Sequence, residues 1–148
     1  HQIVTKLRTD TLAGVSLVAL TGHNATTLRI ARDEPPVKDR TPFLGVKVIT
    51  SVPLMRSYVT QVQRSRVGFF SYARNELTAM KIGDRLEYLL HGDPVNGNTA
   101  YYDFSGDDVS NRSSRFKARR RAKFDEKTDV WVDIIDVEVI WVAQPCPV

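Results

Sequence analysis

Residues 130 to 142, VWVDIIDVEVIWV, alternate more cleanly than any other part of the chain. In an extended strand Trp131, Asp133, Ile135, Val137, Val139 and Trp141 fall on one face. Val132, Ile134, Asp136, Glu138, Ile140 and Val142 fall on the other. At about 3.3 Å per residue this strand is roughly 40 Å long, beyond the usual range. It is therefore expected to bend, to serve two sheets, or to pair with another subunit. Pro145 and Pro147 end it.

Weaker patterns predict further strands. Residues 2 to 8 (QIVTKLR) alternate loosely. Residues 15 to 20 (VSLVAL) are apolar on both faces, and 26 to 31 (TTLRIA) follow after the turn residues Thr21, Gly22, His23 and Asn24, so 15 to 31 reads as a hairpin. Residues 32 to 42 are charged and carry Pro35, Pro36 and Pro42, which predicts an exposed loop. Residues 43 to 50, 54 to 62, 85 to 91 and 99 to 104 are strand-like, with Pro53 interrupting the first two.

One helix is expected over residues 71 to 81. Ser71 would cap it, Ala73, Leu77 and Met80 would form its apolar stripe, and Gly83 would stop it. From 105 to 128 no periodicity survives, which predicts a long basic loop. The sum is a single β-rich domain over 1–148, mainly β with one short helix (α+β), built as a β-barrel or sandwich.

Composition narrows the function without naming it. The chain has 148 residues, 42% of them apolar and 26% charged, enough for one self-supporting core. It has no run of eighteen apolar residues, so no membrane span is expected, and no signal peptide opens it, which points to a cytoplasmic or virion setting. The single cysteine, Cys146, excludes an internal disulfide framework, and His1, His23 and His91 lack metal-ligand spacing. No phosphate-binding or nucleophile motif occurs, so neither a cofactor nor a catalytic residue is expected.

Charge placement is more telling. Residues 112 to 123, RSSRFKARRRAK, hold Arg112, Arg115, Lys117, Arg119, Arg120, Arg121 and Lys123 and no acid. Residues 124 to 138 hold six carboxylates against Lys127 alone. A cationic segment of this kind is suited to phosphates. Tyr72, Tyr101, Tyr102 and Trp131 lie in the same half of the chain, and aromatic rings beside arginines are the chemistry of base stacking.

Residues 67 to 84, VGFFSYARNELTAMKIGD, carry Tyr72, Ala73, Arg74, Asn75, Leu77, Met80, Lys81, Gly83 and Asp84 in an order that resembles EVE domains. These are PUA-like barrels related to YTH readers. The similarity extends through a strand ending at His91 and the Trp131, Asp136 and Val137 positions, about residues 67 to 142. The family's opening strand is absent, and sixty-six residues precede the match. The resemblance implies nucleic-acid binding, DNA or RNA, with Asn75 and Asp84 as readers of base edges.

Two readings follow. The first is a non-catalytic nucleic-acid-binding barrel, with the basic loop on phosphates and the aromatics on bases. The second is a viral or phage coat or tail subunit that self-assembles into an oligomer through its loops and the long strand bounded by Val130 and Val142.

Overall fold

The computed structural model describes residues 2–11, 16–24, 26, 28–32, 41–56, 61–91 and 109–143; for 2, 5, 6, 55, 56, 61, 91, 109–117 and 143 it describes the backbone alone. Among these residues the elements run α1 (Gln2–Leu7), α2 (Leu17–Thr21), β1 (Ile30–Arg32), β2 (Phe43–Arg56), β3 (Gln61–Ala73), α3 (Glu76–His91), β4 (Val109–Asp125) and β5 (Val130–Ala143). The fold is α+β and mostly strand. The strands make one five-stranded sheet in the order β1-β2-β3-β5-β4, with β1 parallel to β2 and every other pair antiparallel. The described strands form this one sheet, which does not close into the expected barrel and, among the described residues, has no second sheet packed on it.

Strand β5 is an inner strand of the sheet. It pairs with β3 from Trp131 to Ala143 and with β4 from Val130 to Ala143. Its expected alternation holds, and its length is absorbed by equally long neighbours. Both sides of its backbone are taken up within the chain, so pairing with a strand of another subunit is closed to it.

One face of the sheet is covered by helices. Leu44 and Val46 of β2, Val67 and Phe69 of β3, and Ile135, Val137 and Val139 of β5 form one buried cluster with Ile3, Val4 and Leu7 of α1, Leu17 of α2, and Ile82, Leu86 and Leu90 of α3. Burial of side chains this large, at roughly 1.5–3 kcal/mol each, is what holds the helices down. The opposite face carries a smaller cluster of Phe43, Tyr72 and Val130, with Phe70 and Val132 packed against it.

Several expected elements change type. The segment 2–8, expected as a strand, is α1; Ile3, Val4 and Leu7 share one helical face. The expected hairpin over 15–31 is instead the short helix α2 followed by β1. Ser16 Oγ caps α2 by accepting from the Ala19 amide at 3.1 Å, and Gly22, at φ 72°, ends it.

Helix α3 starts later and runs further than the expected 71–81. Ser71 belongs to β3, and the cap is Asn75, whose Oδ1 accepts from the Thr78 amide at 2.8 Å. Gly83 does not stop the helix, because Ala79, Ile82, Gly83, Leu86 and Leu90 form one continuous buried stripe. The strand ending at His91, which the EVE resemblance also implied, is the second half of α3. Pro53 does not interrupt β2; it sits beside a register shift in the β2–β3 ladder.

The expected basic loop at 105–128 is, from residue 109 to residue 125, the edge strand β4. Three register shifts against β5 break its two-residue alternation. A four-residue turn joins it to β5, closed by the Asp125 carboxylate, which accepts from the Lys127 amide at 3.1 Å and the Thr128 hydroxyl at 2.9 Å. Asp129 takes the left-handed conformation there, at φ 58°.

Candidate functional site

The arginine run divides into residues of different duty. Arg119 points to the helical face and is buried, with its side chain 5% exposed. Its Nε donates to Asp133 Oδ1 at 3.0 Å, and Nη2 donates to Asp133 Oδ2 at 2.8 Å and to the Met80 carbonyl at 3.3 Å. Its Nη1 donates to Asp84 Oδ1 at 2.7 Å and Glu87 Oε2 at 2.6 Å. These contacts use all five guanidinium donors. Burial works against the charge of Arg119, but hydrogen bonds to Asp133, Asp84 and Glu87 outweigh it, so the group is held above its ordinary pKa.

The result is a clamp between α3, β4 and β5, with no donor left for a phosphate. Asp84, expected to read a base edge, is part of that clamp, and Asn75 is the helix cap. A second arginine fixes the other side of α3. Arg85 donates from Nε and Nη2 to Asp10 at 3.0 and 2.7 Å, and Asp10 also accepts from the Leu17 amide at 2.8 Å. Burial raises the Asp10 pKa, and the bonds from Arg85 and Leu17 pull it below its ordinary value.

Of the expected aromatic residues, Tyr72 and Trp131 are engaged in ring packing. Tyr72 is 5% exposed and stacks with Phe43 and Phe70 at ring separations of 6.2 and 6.3 Å. Trp131 meets Phe124 at 5.5 Å. Tyr101 and Tyr102 lie outside the described residues, as do the side chains of Arg112, Arg115 and Lys117, whose backbones belong to β4.

Among the described residues two surfaces of the sheet stand open. The first is the outer edge of β2. Strand β1 pairs with β2 only at Leu44, Gly45 and Val46. Among the described residues β2 has no strand on its outer side from residue 47 to residue 56. This stretch carries Val48, Ile49, Val52 and Leu54, each close to half exposed, from 46% to 56%.

The second is a groove of about 430 Å³ on the helix-free face. Phe70, Tyr72, Val132, Ile134 and Phe124 supply its apolar lining, and Arg120, Arg121, Lys123 and Asp125 its polar one. The β4–β5 register sets Arg120 opposite Ile134 and Lys123 opposite Val132, with an extra residue in β4 between them. The groove thus gathers three of the expected phosphate ligands with the expected Tyr72, over Phe70, Val132, Ile134 and Phe124, which were not expected there. Val132 and Ile134 were legible as one face of β5, and Phe70 lies two residues from Tyr72 on β3.

Among the described residues no group of three or more His, Cys, Asp or Glu is placed to hold a metal ion. No helix there is long and apolar enough to cross a membrane. No protein-family model matches the chain, and no curated protein matches it. A chain in a solved structure described as "Virion of native gene transfer agent (GTA) particle" is similar at 14% identity and a TM-score of 0.49, over 96% of this chain and 90% of that one.

Proposed function

We propose that this protein is a structural subunit that self-assembles, a coat or tail component of a viral or phage particle. The observation that carries this reading is the open edge of β2. A strand edge is a row of unpaired amides and carbonyls, and proteins that stay single blunt it with charge, irregularity or cover. The two edges of this sheet differ in that respect. Strand β4 is broken by three register shifts and studded with arginine and lysine. The outer half of β2 also carries two register shifts and Pro53, but it has no charged residue from 48 to 55 and exposes Val48, Ile49, Val52 and Leu54. Side chains of this kind on an accessible edge suit burial against another subunit, by strand addition or by side-chain packing along β2. Repetition of one such contact generates rings or longer arrays.

Size-exclusion chromatography with light scattering tests the reading on the whole chain and on a Val52→Lys, Leu54→Lys double variant. Both positions are half exposed, so the variant folds, which circular dichroism checks. The expected result is a defined oligomer for the unaltered chain and a monomer for the variant. A monomer for both, up to high concentration, overturns the proposal.

A further inference from the structure

The groove on the helix-free face is made by β3, β4 and β5 and takes no part in the β2 edge. We infer that it binds an acidic peptide segment that carries aliphatic or aromatic side chains between its carboxylates. The inference stands apart from the assembly reading, since it concerns other strands and other residues.

Three observations support it. The charge of the lining is one-sided. Arg120, Arg121 and Lys123 face one carboxylate, Asp125, and both oxygens of that carboxylate are engaged by the turn that follows β4. The Arg121 guanidinium lies 3.9 Å from Asp84 of the clamp, both groups being largely exposed, so Arg120 and Lys123 are the cations on which the inference rests. Among the described residues Arg120 and Lys123 have no anionic partner. An acidic ligand would supply one.

The apolar part of the groove is the second observation. Val132 and Ile134 are branched aliphatic residues, and Phe124 is 39% exposed. A volume of about 430 Å³ accommodates a few side chains of a peptide. The third observation separates a peptide from a nucleic acid. Base stacking needs a free ring face; Tyr72 spends its surface on Phe43 and Phe70, and Phe124, the more exposed ring, is met by Trp131 at 5.5 Å. Arg119 is committed to carboxylates of the protein itself.

The pattern of the lining suits an extended ligand. Arg120 and Lys123 sit along β4 opposite Ile134 and Val132. A peptide alternating acidic and apolar residues, lying beside β4, would set its carboxylates on the rim and its apolar side chains over β5.

The test is fluorescence anisotropy with three labelled probes: a peptide alternating Glu or Asp with Leu and Phe, the same peptide with Gln and Asn in place of the acids, and a thymidine oligonucleotide. The protein is the whole chain and an Arg120→Glu, Lys123→Glu variant, whose changed side chains are exposed and leave the fold intact. The expected result is saturable binding of the acidic peptide, weakened by salt and at least tenfold weaker for the amide peptide and for the variant. Binding of the oligonucleotide in preference to the peptide overturns the inference and assigns the groove to nucleic acid. Binding of neither, or peptide binding that the variant retains, overturns it as well.

Discussion

Gly83 of α3 lies directly against Asp133 of β5: a Cβ on the glycine would stand 2.5 Å from Asp133 Oδ1 and 2.7 Å from Arg119 Nη2. The glycine sits in the middle of a helix, where it costs about 1 kcal/mol relative to alanine. Its absence of a side chain is what lets the helix approach the buried Arg119–Asp133 pair. Neither neighbouring group can swing aside, since each holds the other through two hydrogen bonds. Gly83→Ala is therefore expected to destabilise the protein by about 1–3 kcal/mol, opposite in sign to the helix-propensity effect. Urea unfolding measures it, and a stabilised variant would show that the approach is not the reason for the glycine.

The clamp itself predicts a larger effect. Arg119→Met leaves Asp133, fully buried, without its guanidinium, along with the carboxylates of Asp84 and Glu87. Breaking a buried pair from one side costs about 3–5 kcal/mol. Arg121→Ala, at an exposed position with only the long Asp84 contact, should change stability by less than about 0.5 kcal/mol. Arg119→Met with Asp133→Leu should recover a good part of the loss, because the orphaned charge goes with its partner. Denaturation midpoints for the four proteins decide it. Equal effects of Arg119→Met and Arg121→Ala would mean that the arginine run is a solvated surface after all.

How much of this was legible follows from how each element advertises itself. Strand β5 is buried by helices on one face and half covered on the other, so its alternation survived, and the placement of Asp133 with Ile135 and Val137 could be read directly. Strand β4 was hidden. Its three register shifts reset the alternation, and an edge strand has little need of apolar residues to mark its faces. Helix α3 was cut in two because Gly83-Asp84 reads as a terminator, although Ile82, Leu86 and Leu90 keep helical spacing across it. The clamp was out of reach for a different reason. Arg119 lies thirty-five residues from Asp84 and fourteen from Asp133, and nothing local distinguishes it from Arg120. Only the sheet register decides that one arginine faces the helix and the next faces the groove.

His23 makes stability depend on pH. Its Nδ1 accepts from the backbone amides of Arg29 at 3.0 Å and Ile30 at 3.1 Å, where the chain enters β1. A protonated ring carries a hydrogen on that nitrogen and can accept neither. Burial first, and the nearby Arg8 charge second, lower its pKa from the ordinary 6.5. The unfolded chain therefore takes up a proton at a higher pH than the folded one. The stability that His23 contributes is fully present above the unfolded value and is lost as pH falls from there through the lowered folded value. The melting temperature of the unaltered chain should decline between neutral pH and about pH 5. His23→Ala, which has no proton to take up, should begin lower and lose less over the same interval. The reverse order, with the variant losing more on acidification, would mean that the two amides do not depend on a neutral ring.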